Sequence, residues 1–251
     1  MMDNNEPTQK MGEMETLGRK CRTDKITHHG YHRFYPLFID FLKDTEGAGM
    51  LEIGLEEGCS LSMWSEYFPN VHIYGVDIGA STKIHRQDDR HTIFQCDQSD
   101  ESEVRWLVDH IDRPILFIND DASHVPEHQV LTFNHLFRDV LREDGVYIIE
   151  DIETSYWTRN AIYNYPTRYG FLHKNSIIER CKILFDYINR EFLNEESRIA
   201  VENACTDAGF DLETLKLVQS MTICQNCIIF KKIGQGDQHY MDRSYRFRDN
   251  L

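Results

Sequence analysis

Residues 50–77, MLEIGLEEGCSLSMWSEYFPNVHIYGVD, decide how the chain folds. A short apolar run, Met50-Leu51-Glu52-Ile53, stops at Gly54. A glycine turn follows through Gly58, and apolar residues at helical spacing run from Leu61 to Phe68. Val71 to Asp77 is a second apolar run, closed by a carboxylate. Strand, turn, helix, strand is one crossover unit, and its two strands lie parallel.

Working outward, the alternation continues. Thr92–Cys96 reads as a strand, Glu101–Ile111 as a helix, Pro114–Asn119 as a buried strand, His128–Leu141 as a helix and Gly145–Glu150 as a strand. This βαβα order implies a mostly parallel sheet covered on both faces. The end differs: Ile177–Phe192 and Ser197–Ala208 read as helices, then Leu215–Ile223 and Cys227–Ile233 as strands joined by Cys224-Gln225-Asn226. The expected fold is α/β: a Rossmann-like, seven-stranded, mostly parallel sheet with a terminal antiparallel hairpin. Upstream, residues 31–44 read as a helix whose stripe of Phe34, Leu37, Phe38 and Phe41 is core. Residues 1–20 read as a flexible leader, 21–233 as the domain and 234–251 as a polar tail.

Composition narrows the function. The 251 residues carry 27 basic and 42 acidic side chains, a formal charge of −15, which repels nucleic acid. No apolar run reaches the ~20 residues of a membrane helix, and the N-terminal residues have no apolar signal core. Seven cysteines without framework spacing suit free thiols, hence a cytoplasmic location.

The motifs lie at strand ends, where ligands of open α/β sheets bind. Gly54 and Gly58 let backbone approach a ligand closely. The spacing is not G-x-G-x-x-G and no lysine follows. Glu56-Glu57 would repel a pyrophosphate, whereas the cationic sulfonium and amino group of S-adenosylmethionine suit that environment; an ordinary βα turn is the plain alternative. Asp77 can accept both ribose hydroxyls of a nucleoside, or cap a helix. Asp97 or Gln98 can reach an adenine amino group, while Ser99 or Asp100 can cap the next helix. Two adjacent strands then close on paired acids, Asp120-Asp121 and Glu150-Asp151. Four converging carboxylates need protons or a cation, and hard oxygen ligands suit Mg²⁺ first and Mn²⁺ second. His124, beside them, suits a general base.

The segments DDASHVPEHQVLTFNHLF and GVYIIEDIETSYW resemble the metal-dependent macrolide-sugar O-methyltransferases, of the mycinamicin 2''-O-methyltransferase type. LEIGLEEGCSLSMWSEYFPNVHIYGVDI, CDQSD and Thr23-Asp24-Lys25 are similar to the same family, and the resemblance spans roughly residues 20–160. It implies a class I fold, S-adenosylmethionine, Mg²⁺ and a sugar hydroxyl on a glycan or glycosylated small molecule. Asp121, Glu150 and Asp151 are then the implied metal ligands, with His124 and Asp121 catalytic. The implied cofactor set is Thr23, Lys25, Glu52, Gly54, Ser60, Asp77, Asp97, Gln98 and Asp120. Ala122 stands where the family has glycine, and Cys59 replaces the second glycine of the first turn. A homo-oligomer is compatible with this reading.

Other signals are weaker. His124-Val125-Pro126-Glu127-His128 spells H-x-x-E-H, but Pro126 fits only a first helical turn. Cys224–Cys227 is a single C-x-x-C, expected away from the strand ends that build the site. Tyr156, Trp157, Tyr163, Tyr165 and Tyr169 suit either a sugar platform or packing. His28-His29, near Tyr31, reads as a surface turn before a place over the cofactor. A catechol-type O-methyltransferase acting on a phenolic diol, or a non-catalytic cofactor-binding protein, are the alternatives.

Overall fold

The computed structural model describes residues 11–79, 89–159 and 168–236. Its strands are β1 Gly49–Ile53, β2 His72–Asp77, β3 His91–Gln95, β4 Ile115–Asp120, β5 Leu141–Glu150, β6 Val218–Cys224 and β7 Cys227–Lys232. They form one sheet in the order β3-β2-β1-β4-β5-β7-β6. β1 to β5 pair in parallel, and β7 runs antiparallel to both β5 and β6. The expected mixed sheet is therefore present. From β1 the chain winds outward to β3, then returns to β4 on the other side of β1. That reversal opens a crevice at the carboxyl ends of β1 and β4.

The helices are α1 Glu13–Cys21, α2 Asp24–Thr27, α3 Pro36–Ile39, α4 Cys59–Tyr67, α5 Glu101–His110, α6 Pro126–Thr132, α7 Ile177–Lys182, α8 Leu184–Ile188, α9 Glu195–Asp207 and α10 Leu212–Leu215. Pleating sends alternate residues of each strand to opposite faces. Leu51, Ile53, Ile118, Tyr147 and Ile149 enter one core, with Phe133, Phe137 and Leu184 from the helical side. Met50, Phe117, Val146 and Ile148 enter the other, beneath Met14, Tyr31, Tyr35, Met63 and Trp64.

Several expectations need correction. The stretch read as a leader is helical from Glu13, with Met14 and Gly18 buried. A Cβ at Gly18 would lie 2.0 Å from an Ile26 side-chain carbon, so this helix sits close on the chain that follows it. Residues 1–10, and the tail beyond 236, lie outside the described residues. Residues 31–44 are three pieces: a 3₁₀ turn at Tyr31–Arg33, α3, and a second 3₁₀ turn at Asp40–Asp44. Pro36 has no N–H with which to continue a helix, so α3 begins there. The buried stripe is Tyr31, Tyr35, Ile39 and Leu42, whereas Leu37 is 82% exposed and Phe41 43%. Phe34 and Phe38 of the expected stripe are partly buried against the core, so only Leu37 and Phe41 were misplaced. The helix expected to 141 passes through a π turn at Phe133–Phe137 and stops at Asp139, and β5 already starts at Leu141. The expected helix 177–192 breaks into α7, α8 and a 3₁₀ turn, and α10 precedes β6.

Candidate active site

A cleft of about 540 Å³ opens at the strand ends, lined by Thr23, Gly54, Ser60, Asp77, Asp97, Asp121, His124, Asp151 and Trp157 among others. Gly54 has φ +89°, and a Cβ there would stand 2.1 Å from the Asp121 carbonyl oxygen. The loops leaving β1 and β4 can pass this closely only at glycine. Gly58, with φ +76°, precedes α4. Asp77 is held on the rim: Oδ2 accepts the Leu55 N–H at 2.9 Å and Oδ1 the Gly79 N–H at 2.8 Å. Thr23 is 1% exposed, and its Oγ1 has no hydrogen-bond partner among the described residues.

The pleat divides the remaining acids. Asp120 points to the face of Ile118 and Tyr147, away from the cleft. It is fully buried and accepts from Gln98 Nε2 at 2.8 Å, Thr132 Oγ1 at 2.8 Å and Tyr147 OH at 2.9 Å. Burial pushes its carboxyl up to about 6, against those three bonds. Asp120 is thus a brace, contrary to its expected cofactor role. The Gln98 amide is turned inward as well, its Oε1 accepting the Ser123 N–H at 2.9 Å. Asp97 lines the cleft and accepts from Ser99, while Asp100 caps α5.

Glu52, Asn119, Asp121 and Glu150 lie on the opposite face, which is polar across three strands. Glu52 is fully buried, accepting from Ser60 Oγ at 2.8 Å and Trp64 Nε1 at 3.2 Å. Lys25 is 1% exposed and plugs this face. Its Nζ donates to Asp121 and to Glu150 Oε2 at 2.6 Å, and lies 3.3 Å from Glu52. Tyr35 OH donates to the other Glu150 oxygen. Burial pulls the Lys25 ammonium down, but the three carboxylates outweigh it and hold its pKa well above the lysine value. Burial holds the Asp121 carboxyl well above its usual range, although Lys25 opposes this. Lys25 and Glu52 were expected to touch the cofactor; neither lines the cleft, and both belong to this charge cluster.

Asp151 follows β5 in a left-handed conformation, φ +53°, which ends the strand and starts a 3₁₀ turn. Its Oδ1 accepts from Tyr31 OH at 2.6 Å. Its Oδ2 lies 3.8 Å from His124 Nε2, and Asp121 Oδ1 lies 3.9 Å from the same nitrogen. Ligand atoms of Asp121, His124 and Asp151 all fall within 4.8 Å of one another. One oxygen of each aspartate is tied to the protein and the other turns into a shared gap. His124 is 4% exposed with φ +51°, and burial lowers its pKa to about 4 despite Asp151.

Reading the residues missed three neighbours of this gap. His29, expected on a surface turn, lines the cleft and stacks on Tyr31, centroids 5.3 Å apart. Tyr31 and Tyr35 carry the hydroxyls that hold Asp151 and Glu150. The C-x-x-C hairpin is beside the site, not away from it: β7 is antiparallel to β5, so Cys227 pairs with Glu150. That placement follows from a hairpin closing on β5 and could have been deduced. The H-x-x-E-H pattern dissolves, since His124 precedes α6, Glu127 pairs with Arg180 and His128 Nδ1 meets Ser123 Oγ at 3.0 Å. Tyr163 and Tyr165 lie outside the described residues.

No protein-family model matches the chain. It is 40% identical over 168 residues to 8-demethyl-8-alpha-L-rhamnosyl tetracenomycin-C 2'-O-methyltransferase of Streptomyces olivaceus, covering 63% of this chain and 43% of that protein. It is 30% identical over 192 residues to L-olivosyl-oleandolide 3-O-methyltransferase of Streptomyces antibioticus, covering 73% and 48%. It is 36% identical over 138 residues to mycinamicin VI 2''-O-methyltransferase of Micromonospora griseorubida, covering 50% and 33%. The chain is similar, over half to three quarters of its length, to these sugar O-methyltransferases. It spans less than half the length of the curated relatives it matches. Its fold is that of a methyltransferase: MycE of the mycinamycin pathway, solved with Mg, SAH and mycinamycin VI, superposes with a TM-score of 0.70 at 21% identity. That match covers 92% of this chain and 57% of MycE.

Proposed function

We propose that the chain performs methyl transfer from S-adenosylmethionine to a sugar hydroxyl, assisted by Mg²⁺ or Mn²⁺. The carrying observation is that Asp121, Asp151 and His124 converge at one end of the cleft that Gly54 and Asp77 line. The residues present fit both groups. For the cofactor, there are the fixed Asp77 carboxylate, the glycine-only approach at Gly54 and the unpartnered Thr23 Oγ1. For the dication, the carboxyls of buried Glu52 and Glu150 and of partly exposed Asp121 share one ammonium, and a second cation could take the place of the proton that burial favours on Asp121. Asp121 and Asp151 would offer it oxygens; both Glu150 oxygens already accept, from Lys25 and Tyr35, so Glu150 would join them only by giving up one of these bonds.

Bound S-adenosylmethionine supplies the electrophilic methyl, and a bound dication makes a nearby hydroxyl more acidic. The chain's own part is placement and proton removal. Asp77 orients the nucleoside, and the loops at Gly54 set the approach of the methyl to the gap. His124, neutral at pH 7, accepts the hydroxyl proton at Nε2, where Asp121 and Asp151 stabilise the resulting imidazolium. General base catalysis of this kind contributes about 10²–10⁴-fold. A bound S-adenosylmethionine would give up its methyl to the oxygen and leave as a neutral thioether, and the hydroxyl proton would rest on His124.

The relatives' names place their methyl groups on sugars attached to polyketides. A deoxysugar on a bulky small molecule is therefore the proposed acceptor, with Trp157 and the half-exposed Tyr156 beside it. All seven cysteines are free and no described helix is long and apolar enough to cross a membrane, which supports the proposed cytoplasmic site of action. The test measures S-adenosylhomocysteine release with glycosylated polyketides, their aglycones and simple catechols. Turnover confined to the glycosides supports the proposal, and turnover confined to catechols overturns it.

A further inference from the structure

We propose that Asn226 is a positioning residue for the candidate metal site: its amide fixes which oxygen of Asp151 is offered to the ion. The inference rests on the proposed role of Asp151 as a ligand. Asn226 occupies the two-residue turn between β6 and β7, with φ +65°. Among side chains, asparagine and aspartate tolerate this left-handed conformation best after glycine.

The hydrogen bonds select asparagine over aspartate. Asn226 Oδ1 accepts the Glu153 N–H at 2.9 Å. That bond sets the amide's orientation, because the NH₂ group cannot accept from a backbone N–H. Nδ2 then donates one proton to Asp151 Oδ1 at 3.1 Å and the other to His29 Nδ1 at 3.1 Å. The Asn226 carbonyl accepts the Ile152 N–H at 3.3 Å, which ties the turn to the residue after Asp151. Asp151 Oδ1 is thus held by two donors, Tyr31 OH and Asn226 Nδ2, and Oδ2 is left to face Asp121 and His124. An aspartate at 226 would set a carboxylate against Asp151 with no donor. Glycine would keep the turn but leave Oδ1 to Tyr31, with His29 Nδ1 3.4 Å away. The chain's last hairpin therefore enters the site through topology: β7 is antiparallel to β5, so the hairpin turn lies beside the end of β5.

Donors that hold a ligating carboxylate in place typically change metal affinity by about 10–100-fold. The experiment titrates Mn²⁺ into the protein, following the loss of the free-ion EPR signal, for wild type, Asn226→Gly and Asn226→Ser. S-adenosylhomocysteine affinity, by calorimetry, reports the rest of the cleft. The expected result is about 10–100-fold weaker Mn²⁺ binding in both variants, unchanged S-adenosylhomocysteine affinity, and turnover recovered at saturating Mg²⁺. Equal Mn²⁺ affinity in all three proteins overturns the proposal. So does a parallel loss of both affinities in both variants, which would make Asn226 a structural turn only. A wild type that binds no Mn²⁺ instead overturns the reading of Asp151 on which the proposal stands.

Discussion

Replacing Lys25 by methionine removes the only ammonium in contact with Glu52, Asp121 and Glu150 among the described residues, while keeping most of the side chain's volume. Lys25 is 1% exposed, and Glu52 and Glu150 are as deeply buried, so water does not take its place. Breaking a buried pair by deleting one partner costs about 3–5 kcal/mol. For a chain of this size, that lowers Tm by about 6–20 °C. The sign with pH follows from Asp121, whose carboxyl is already held above its usual range by burial. Its folded form keeps a proton that the unfolded chain releases, so stability falls as pH rises through that raised value. Without Lys25 this effect grows. The variant is therefore expected to approach wild type near pH 4 and to fall furthest behind it near pH 7. A dication should restore part of the loss, about 2.7 kcal/mol at one hundred times its Kd. The assay is thermal or urea unfolding in EDTA and in Mg²⁺, across that pH range. A Lys25→Met protein as stable as wild type at pH 7 in EDTA would refute the charge argument.

Three more outcomes follow from the geometry. Gly54→Ala adds a Cβ 2.1 Å from a backbone oxygen at a left-handed position; a loss of about 2–5 kcal/mol is expected from denaturant unfolding, combining backbone strain and overpacking. Asp77→Ala removes a carboxylate that two backbone N–H groups hold in the cleft. S-adenosylhomocysteine binding should weaken by roughly 1.5–3 kcal/mol in calorimetry, the worth of a hydrogen bond to a charged group. His124→Asn should cut turnover about 10²–10⁴-fold and spare cofactor binding. With its pKa lowered to about 4 by burial, His124 costs stability as pH falls from 6.5 toward 4, because the unfolded chain takes the proton first. The wild type should lose stability over that window relative to His124→Asn in paired urea titrations.

Much of this site was legible in the residues because strand ends carry it. Gly54, Asp77, Asp121 and Asp151 each follow an apolar run, and a parallel sheet gathers such ends in one place. What stayed hidden depended on the pleat and on distant packing. Asp120 and Asp121 are neighbours in the chain, yet only the register of β4 decides which of them faces the cleft. Lys25 entered the cofactor set only through the family resemblance of Thr23-Asp24-Lys25. Its burial over Glu52 and Glu150 is tertiary. Tyr31 and Tyr35 sat in a segment taken for one continuous helix, whereas α3 begins only at Pro36. The hairpin's approach to Asp151 required knowing that β7 pairs with β5.

Calorimetric titration of Mg²⁺ into the protein saturated with S-adenosylhomocysteine tests the central claim most directly, with Asp121→Asn alongside. A single saturable site in wild type, lost in Asp121→Asn while the nucleoside stays bound, is the outcome this geometry predicts. No Mg²⁺ binding to wild type, or equal binding to the variant, would contradict it.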